Sequence, residues 1–327
     1  MTVLVLTRPD DATADLVISE LNDRRVPVWR IDPGEFPESL SVSARIGAEL
    51  PNWCGTVQGQ HQGTSLSHVR SVYYRRPSSF RLNSALSEGD ARWAQSEARA
   101  GFGGLLTSLD CLWVNHPHRN AAAGVGPAAL ATASRCGLTV PETLITNVPA
   151  EARAFINGLP GGVAAYKAVG DAAPGDVDGW PQALWTNKVH AAEVTDSVAL
   201  TAHQFQEWIP KAYEVRVSVV AGEMFAAEIH AGSDASRIDF RRDYDSLTYQ
   251  VRNVPESTAD GLRSLLAAFG LHYAALDFVV NDKGGWYLID VNPNGQWAFV
   301  PELRTPITRA LADLLEGRTH DHRSTIR

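Results

Sequence analysis

Three side chains near the C-terminal end of the chain have the types and spacing to hold a metal ion. Asp290 and Asn292 are two residues apart in the run Leu288-Ile289-Asp290-Val291-Asn292, so a strand there puts both on one face. Asp277 lies in a second apolar run, Leu276-Asp277-Phe278. If Asn281 pairs with Trp286 around a four-residue loop, Asp277 faces Asp290, whereas a slip of one residue moves it to the other face. Two carboxylates and an amide oxygen are hard ligands that suit Mg²⁺, an ion usually held by few protein groups plus substrate phosphates. The plainer reading is two acids flanking a hairpin, but acids inside apolar strands are costly to bury unpaired.

A second group is Lys167 with Gln206-Glu207-Trp208-Ile209. A lysine near the end of the apolar run Val163–Val169 can point its ammonium into a cleft, where a phosphate is a natural partner. Snorkelling to solvent is an equal alternative on this residue alone. Gln206–Ile209 can offer backbone groups to an adenine edge between apolar side chains, although in isolation it is only a strand. Lysine is scarce, at positions 167, 188, 211 and 283, so each one near such an element carries more meaning.

The elements that must position these residues follow from periodicity. Strands are predicted at Val3–Leu6, Val26–Ile31, Val69–Tyr74 and Cys111–Val114, with helices over Asp10–Arg24 and Ser87–Asp110 between them. Repeated βα units of this kind imply a small parallel α/β domain over residues 1–114. The segment Gly55–Gly63 is glycine-rich but has no G-x-G-x-x-G pattern, so a dinucleotide role is unsupported. Residues 115–200 are assigned to a second, smaller domain. It opens with a helix from Pro127 to Cys136 closed by Gly137, and includes a helix opened by Pro149 and a loop at Gly170–Pro181. Residues 201–327 read as mainly antiparallel. They contain the hairpins Val215–Val220/Met224–His230 and Leu271–Val280/Trp286–Asn292, and a helix Ser257–Phe269 capped by Gly270. The tail Gly317–Arg327 is polar and expected to fray.

Composition excludes several classes. The 327 residues are 44% hydrophobic and 20% charged, which leaves no case for wholesale disorder. A net charge of -8 argues against nucleic acid as the main ligand. No run of about 18 apolar residues is present, and Val3-Leu4-Val5-Leu6 has no basic flank, so neither a membrane span nor a signal is expected and the location expected is cytoplasmic. Cys54, Cys111 and Cys136 have neither metal-ligand nor disulfide spacing, and His116-Pro117-His118 reads as a turn.

Taken with the order of elements, these residues resemble the ATP-grasp superfamily, and within it the RimK-like ligases that macrocyclise ribosomal peptides, the graspetide (microviridin-type) synthetases. The resemblance is carried by Tyr73-Tyr74-Arg75-Arg76-Pro77, Gly137–Asn147, Gln206–Lys211, Glu214-Val215-Arg216, Asp239-Phe240-Arg241 and Asp290–Trp297, of which N-P-x-G-Q-W is the most specific. It implies an α/β fold (α+β overall) of three parts: an N-terminal pre-ATP-grasp domain, a small lid domain and a larger antiparallel domain that clamps ATP. It also implies a reaction in which a Glu or Asp side chain of a precursor peptide is phosphorylated. A Ser or Thr hydroxyl, or a Lys amine, then displaces phosphate to give a macrocyclic ester or amide.

The resemblance assigns roles as well. Lys167 would contact the ATP phosphates, and Gln206, Glu207, Trp208 and Ile209 would lie at the adenine. Asp277, Asp290 and Asn292 would hold Mg²⁺, and Arg216 would steady the transferring phosphoryl group. Arg241, with Asp239 and Arg237, would handle the peptide, and Arg237, Arg241, Arg242 and Arg252 would form a basic patch that attracts an acid-rich core to an acidic protein. A solvated charged loop is the alternative for that segment. The partner implied is a ribosomal precursor with leader and acid-rich core, and the assembly implied is a homodimer, without nucleic acid or membrane. Two positions depart from the pattern: Gly126 stands where a phosphate-contacting lysine is usual, and Asp290 where Glu is usual. They keep two alternatives open: a degenerate ATP-grasp protein that binds peptide or nucleotide without turnover, and a ligase of amino acids or other small carboxylates.

Overall fold

Apolar runs near the N-terminus build a parallel sheet. In a computed structural model that describes residues 1–170, 176–177, 180–181 and 185–318, β1 (Thr2–Leu6) is fully buried beyond its first residue and leads into α1 (Ala12–Asp23). Asp11 caps that helix by accepting from the Thr13 and Ala14 N–H groups, and Ala14, Val17 and Leu21 face inward. β2 (Val28–Ile31) follows, then three antiparallel strands, β3 (Ser41–Gly47), β4 (Leu50–Gln58) and β5 (Gly63–Ser65). Next come β6 (Val69–Tyr74), α2 (Glu88–Ala98), a π-turn at Arg99–Gly103, α3 (Gly104–Thr107) and β7 (Leu112–Val114). The parallel sheet has the order β2-β1-β6-β7, as expected from the βα repeats. The β3–β5 meander was not foreseen, because among β3, β4 and β5 only Val57 is buried and the apolar alternation that marks a strand is missing.

The helix expected to open the small domain packs with the large one, as does a helix begun at Pro117, where a turn was expected at His116-Pro117-His118 and His116 instead caps the helix. α4 (Pro117–Ala123) and α5 (Gly126–Arg135) present Ala123, Ala129 and Ala133, whose small side chains share a core with Leu262, Leu265 and Leu276 of the large domain. The lid sheet then forms from β8 (Thr143–Thr146), α6 (Pro149–Gly158) and β9 (Val163–Lys167). The two-residue pair β10 (Asp176–Val177) and β11 (Trp180–Pro181) lies outside that sheet, and β12 (Asn187–His190) and β13 (His203–Glu207) complete it in the order β12-β9-β13-β8. By sheet membership the change to the large domain falls after Glu207. Most of the loop expected at Gly170–Pro181 lies outside the described residues, as does the tail beyond Arg318.

β14 (Lys211–Val220) and β15 (Glu223–His230) form the first expected hairpin. Ala221 (φ 49°) and Gly222 (φ 90°) both sit in the left-handed region that a tight two-residue turn requires. After α7 (Asp234–Ile238) and β16 (Thr248–Arg252), α8 (Glu256–Phe269) ends on left-handed Gly270. Then β17 (Tyr273–Asn281) and β18 (Trp286–Asn292) pair, and α9 (Pro301–Glu316) closes the fold. The sheet order is β16-β15-β14-β17-β18. One face buries Val215, Val217, Val219, Leu276, Phe278 and Val280 against α5 and α8. The other face meets the N-terminal domain, where Val220, Tyr273 and Ala275 pack with α1 and α9.

Two polar ties fix the N-terminal domain to this sheet. Asn115, buried, accepts from the His272 and Tyr273 N–H groups and donates to the Tyr273 and Pro293 carbonyls, at 2.8–3.0 Å. Arg75, 1% exposed, donates to Asp11 (3.3 Å) and to Gln296 Oε1 (3.1 Å), and Thr13 Oγ1 donates to the same oxygen (2.7 Å). The conspicuous segments Tyr73–Pro77 and Asn292–Trp297 are therefore each other's partners. No helix among the described residues is long and apolar enough to cross a membrane.

Candidate active site

Strand alternation selects what faces the cleft. With Val215, Val217 and Val219 in the core, Glu214, Arg216 and Ser218 point the other way. Across the sheet Arg216 is paired with Asp277, and Asp277 with Asp290, so a guanidinium and two carboxylates form one row over β14, β17 and β18. The pairing is reached through a bulge. Val280 lies opposite Trp286, one position off the expected register, and Ile289 is the extra residue that restores the match at Asp277.

Arg216 Nη1 donates to Asp277 Oδ2 at 3.1 Å, and both side chains are nearly buried. Burial pushes the Asp277 carboxyl up to about 6; Arg216 opposes the shift and Asp290 adds to it. Asp277 Oδ1 and Arg216 Nε are buried without a hydrogen-bond partner. Asp290 is exposed to the cleft, and Asn292 Oδ1 accepts the Asn294 N–H at 3.0 Å while keeping a lone pair. Among the described residues no group of three or more His, Cys, Asp or Glu is arranged for a metal ion. The expected set, two carboxylates and an amide, fits an ion that relies on phosphate oxygens, and Asp277 Oδ1, 3.1 Å from Arg216 Nη1 but without a hydrogen bond, has ligand capacity to spare.

Lys167 reaches this row from the lid. Its Nζ donates to Gln206 Oε1 (2.9 Å) and to the carbonyl of the bulge residue Ile289 (3.3 Å), so it points inward and does not snorkel. Burial holds its ammonium below the ordinary lysine value, opposed by Asp290 and then Glu214. Gln206, 1% exposed, in turn donates to Thr143 Oγ1 at 2.9 Å. Its side chain is thus committed to Lys167, whereas the adenine contact expected from sequence concerned backbone groups. Gln206 and Glu207 are also held in the sheet, the latter through a 2.7 Å bond from its N–H to the Glu142 carbonyl. Trp208 and Ile209 continue past β13, with the Trp208 ring beneath the ammonium groups of Lys188 (4.4 Å) and Lys211 (5.7 Å).

The acceptor-side residues behave differently from expectation. Arg241 donates from Nε and Nη2 to the two oxygens of Asp239, at 2.9 and 2.6 Å, and stacks over Trp185 at 5.6 Å. Its two-point fork is therefore engaged internally. Burial alone would raise the Asp239 carboxyl, but Arg241 and the Arg241 and Thr186 N–H groups hold it below the usual range. Arg237 is exposed on α7 and, among the described residues, pairs only with Asp234, at 3.5 Å. Arg242 binds the Thr186 carbonyl and Asn187, while Arg252 pairs with Glu228, which lies on the Val215 face of the sheet. The four arginines expected as one basic patch are dispersed and each has a partner.

Two further side chains join the geometry of the site and went unassigned from sequence. Glu214, buried on the cleft face, is paired with Lys211, and burial raises its carboxyl. Thr143 orients Gln206. A polar residue within an otherwise apolar strand was the available signal for Glu214; nothing local marks Thr143.

Residues 2–121 match the MvdD pre-ATP-grasp domain family. Along nearly its whole length the chain superposes on a ribosomal-peptide-associated ATP-grasp ligase of Chryseobacterium gregarium, solved with ADP and a leader and core peptide. The TM-score is 0.88 at 24% identity, over 97% of each chain. This chain has the ATP-grasp fold. The ATP-grasp likeness extends to two macrocyclases of Microcystis aeruginosa MRC. MdnC, solved with its precursor peptide MdnA, gives a TM-score of 0.84 at 24% identity over 97% of this chain and 100% of that one. MdnB gives 0.77 at 26% identity over 96% and 98%. None of the curated proteins matches the sequence. With this fold go the pre-ATP-grasp domain, lid sheet and large antiparallel sheet that the resemblance implied.

Proposed function

We propose that the chain is an ATP-dependent ligase that phosphorylates an Asp or Glu side chain of a ribosomal precursor peptide and closes a macrocyclic ester or amide onto Ser, Thr or Lys. The observation that carries this reading is the facing of Lys167 and the Arg216–Asp277–Asp290 row across one cleft. Phosphoryl transfer needs positioning and neutralisation of charge more than covalent help from the protein. Lys167, pre-oriented by Gln206, binds the phosphates of ATP. Trp208 and Ile209 bound the adenine slot. Asp277, Asp290 and Asn292 would hold Mg²⁺, which would supply neutralisation of the phosphate oxygens. Arg216, beside Asp277, would steady the transferring phosphoryl group.

In the first step a peptide carboxylate oxygen bonds to the terminal phosphorus of ATP and ADP leaves. In the second, a hydroxyl or amine bonds to the acyl carbon, loses its proton and expels phosphate. Support for a peptide as acceptor comes from the solved relatives, whose partners are a leader and core peptide and the precursor MdnA. The same reading places the protein in the cytoplasm, as a homodimer. Co-expression with a candidate acid-rich precursor should lower the peptide mass by one water per ring. An unmodified peptide alongside free ADP release with amino acids would select the small-carboxylate alternative. No ADP release at all would select the non-catalytic one.

A further inference from the structure

Three cationic groups on the lid and large-domain walls of the cleft already have polar partners: Arg216 on Asp277, Arg241 on Asp239, Lys167 on Gln206. The opposite wall is the carboxyl edge of the N-terminal parallel sheet. There β1 has β2 on one side and β6 on the other, so successive connections leave in opposite directions. Open α/β sheets bind ligands beyond the strand ends at such a switch point. Arg76 stands there, two residues beyond β6, exposed and with no side-chain hydrogen bond or ion pair among the described residues.

Its backbone is fixed relative to the metal row. The Arg76 carbonyl accepts the Arg8 N–H at 3.2 Å, and the adjoining Arg75 carbonyl accepts from the side chain of Asn294, two residues past Asn292. Tyr273 donates to the Gly295 carbonyl of that loop at 2.8 Å and feels the charges of both Arg75 and Arg216. Burial, then Arg75, holds the Arg76 guanidinium below the ordinary arginine value; Asp11 opposes this and Arg8 adds to it. Arg75 is neutralised by buried Asp11 and Arg8 by Asp10, which leaves Arg76 as the guanidinium whose charge calls for an anion.

We propose that Arg76 receives a carboxylate of the acid-rich peptide from the N-terminal wall and is the residue that makes the site selective for acidic cores. This rests on the peptide-ligase reading above. It replaces the expected basic patch, and it lets a protein of net charge -8 take up an acidic substrate.

The test is calorimetric titration of the full chain, saturated with Mg²⁺ and ADP. The probes are a blocked hexapeptide of alternating Glu and Thr and its Gln analogue. Arg76→Ala should weaken the Glu peptide about tenfold, the loss of one charge-assisted contact, and leave the Gln peptide and ADP within about twofold. Arg76→Lys should recover part of the loss, since a point charge remains without the fork. Equal losses for both peptides, an unchanged Glu peptide, or a wild type indifferent to Glu against Gln would overturn the assignment. A wild type that binds no nucleotide would overturn the ligase reading as well, whereas one that binds nucleotide and the acidic peptide without need of Arg76 overturns only this inference.

Discussion

Asp277 and Asp290 face each other across β17 and β18 although the ladder between Phe278 and Val280 runs one residue out of step with the ladder beyond them. The bulge at Ile289 reconciles the two. Besides returning Asp290 to the face of Asp277, it lets the Ile289 carbonyl accept from Lys167 Nζ at 3.3 Å. One inserted residue thus aligns the carboxylates and anchors the lysine that opposes them.

Gln206 is predicted to matter through Lys167. Gln206→Leu removes the nearer acceptor of a buried ammonium and frees Thr143, so the lysine loses its orientation. A hydrogen bond to a charged group is worth about 1.5–3 kcal/mol, so affinity for a non-hydrolysable ATP analogue should fall roughly tenfold or more. Gln206→Glu should retain most of it. Unchanged affinity in Gln206→Leu, measured by calorimetry, would show that Lys167 does not meet the phosphates.

Stability should pass through a maximum in mild acid. Asp11 and Asp239 are held below their ordinary values: burial pushes both up, but Arg75 and Thr7 in one case and Arg241 in the other outweigh it. Their contribution is complete above about pH 4, the unfolded value, and is lost as pH falls through the folded values. Asp277 has the opposite sign. Its folded value of about 6 lies above the unfolded one, so stability declines as pH rises through 6. Glu214, whose carboxyl burial also raises, acts in the same sense, so thermal melts in EDTA should show both limbs and Asp277→Asn should make only the upper one shallower. A monotonic profile would contradict the assigned environments.

Gly126 is open to replacement. A Cβ there would meet only the Val169 carbonyl, at 3.9 Å, beside the strand that carries Lys167. Gly126→Lys should tighten analogue binding by about 1–2 kcal/mol, a charge-assisted bond less the cost of ordering the stem. No change in a titration of the two forms would place this position away from the phosphates.

The sequence was most legible where one periodic pattern decided the outcome. β6 was found at its observed bounds, the hairpin around Ala221-Gly222 by its turn, and α8 by its glycine cap. The pairing of Asp277 with Asp290 was reached with a regular loop where the protein uses a bulge, since a one-residue insertion leaves apolar alternation almost unchanged. Partner choice was least legible. Whether Arg241 waits for substrate or holds Asp239, and whether the Gln206 side chain meets Lys167, depends on side chains brought together by folding and not by spacing.

The central claim is that this cleft activates a peptide carboxylate with ATP, and trapping the acyl-phosphate with hydroxylamine tests it most directly. Wild-type protein with Mg²⁺, ATP and an acid-rich precursor should release ADP and give a peptide hydroxamate at Asp or Glu, seen by mass spectrometry. Asp290→Asn, which alters an exposed side chain and leaves the fold intact, should lower hydroxamate yield by more than the ~10–100-fold typical of a change one shell out from a metal. ADP release without hydroxamate, or equal hydroxamate from Asp290→Asn at limiting Mg²⁺, would contradict the account.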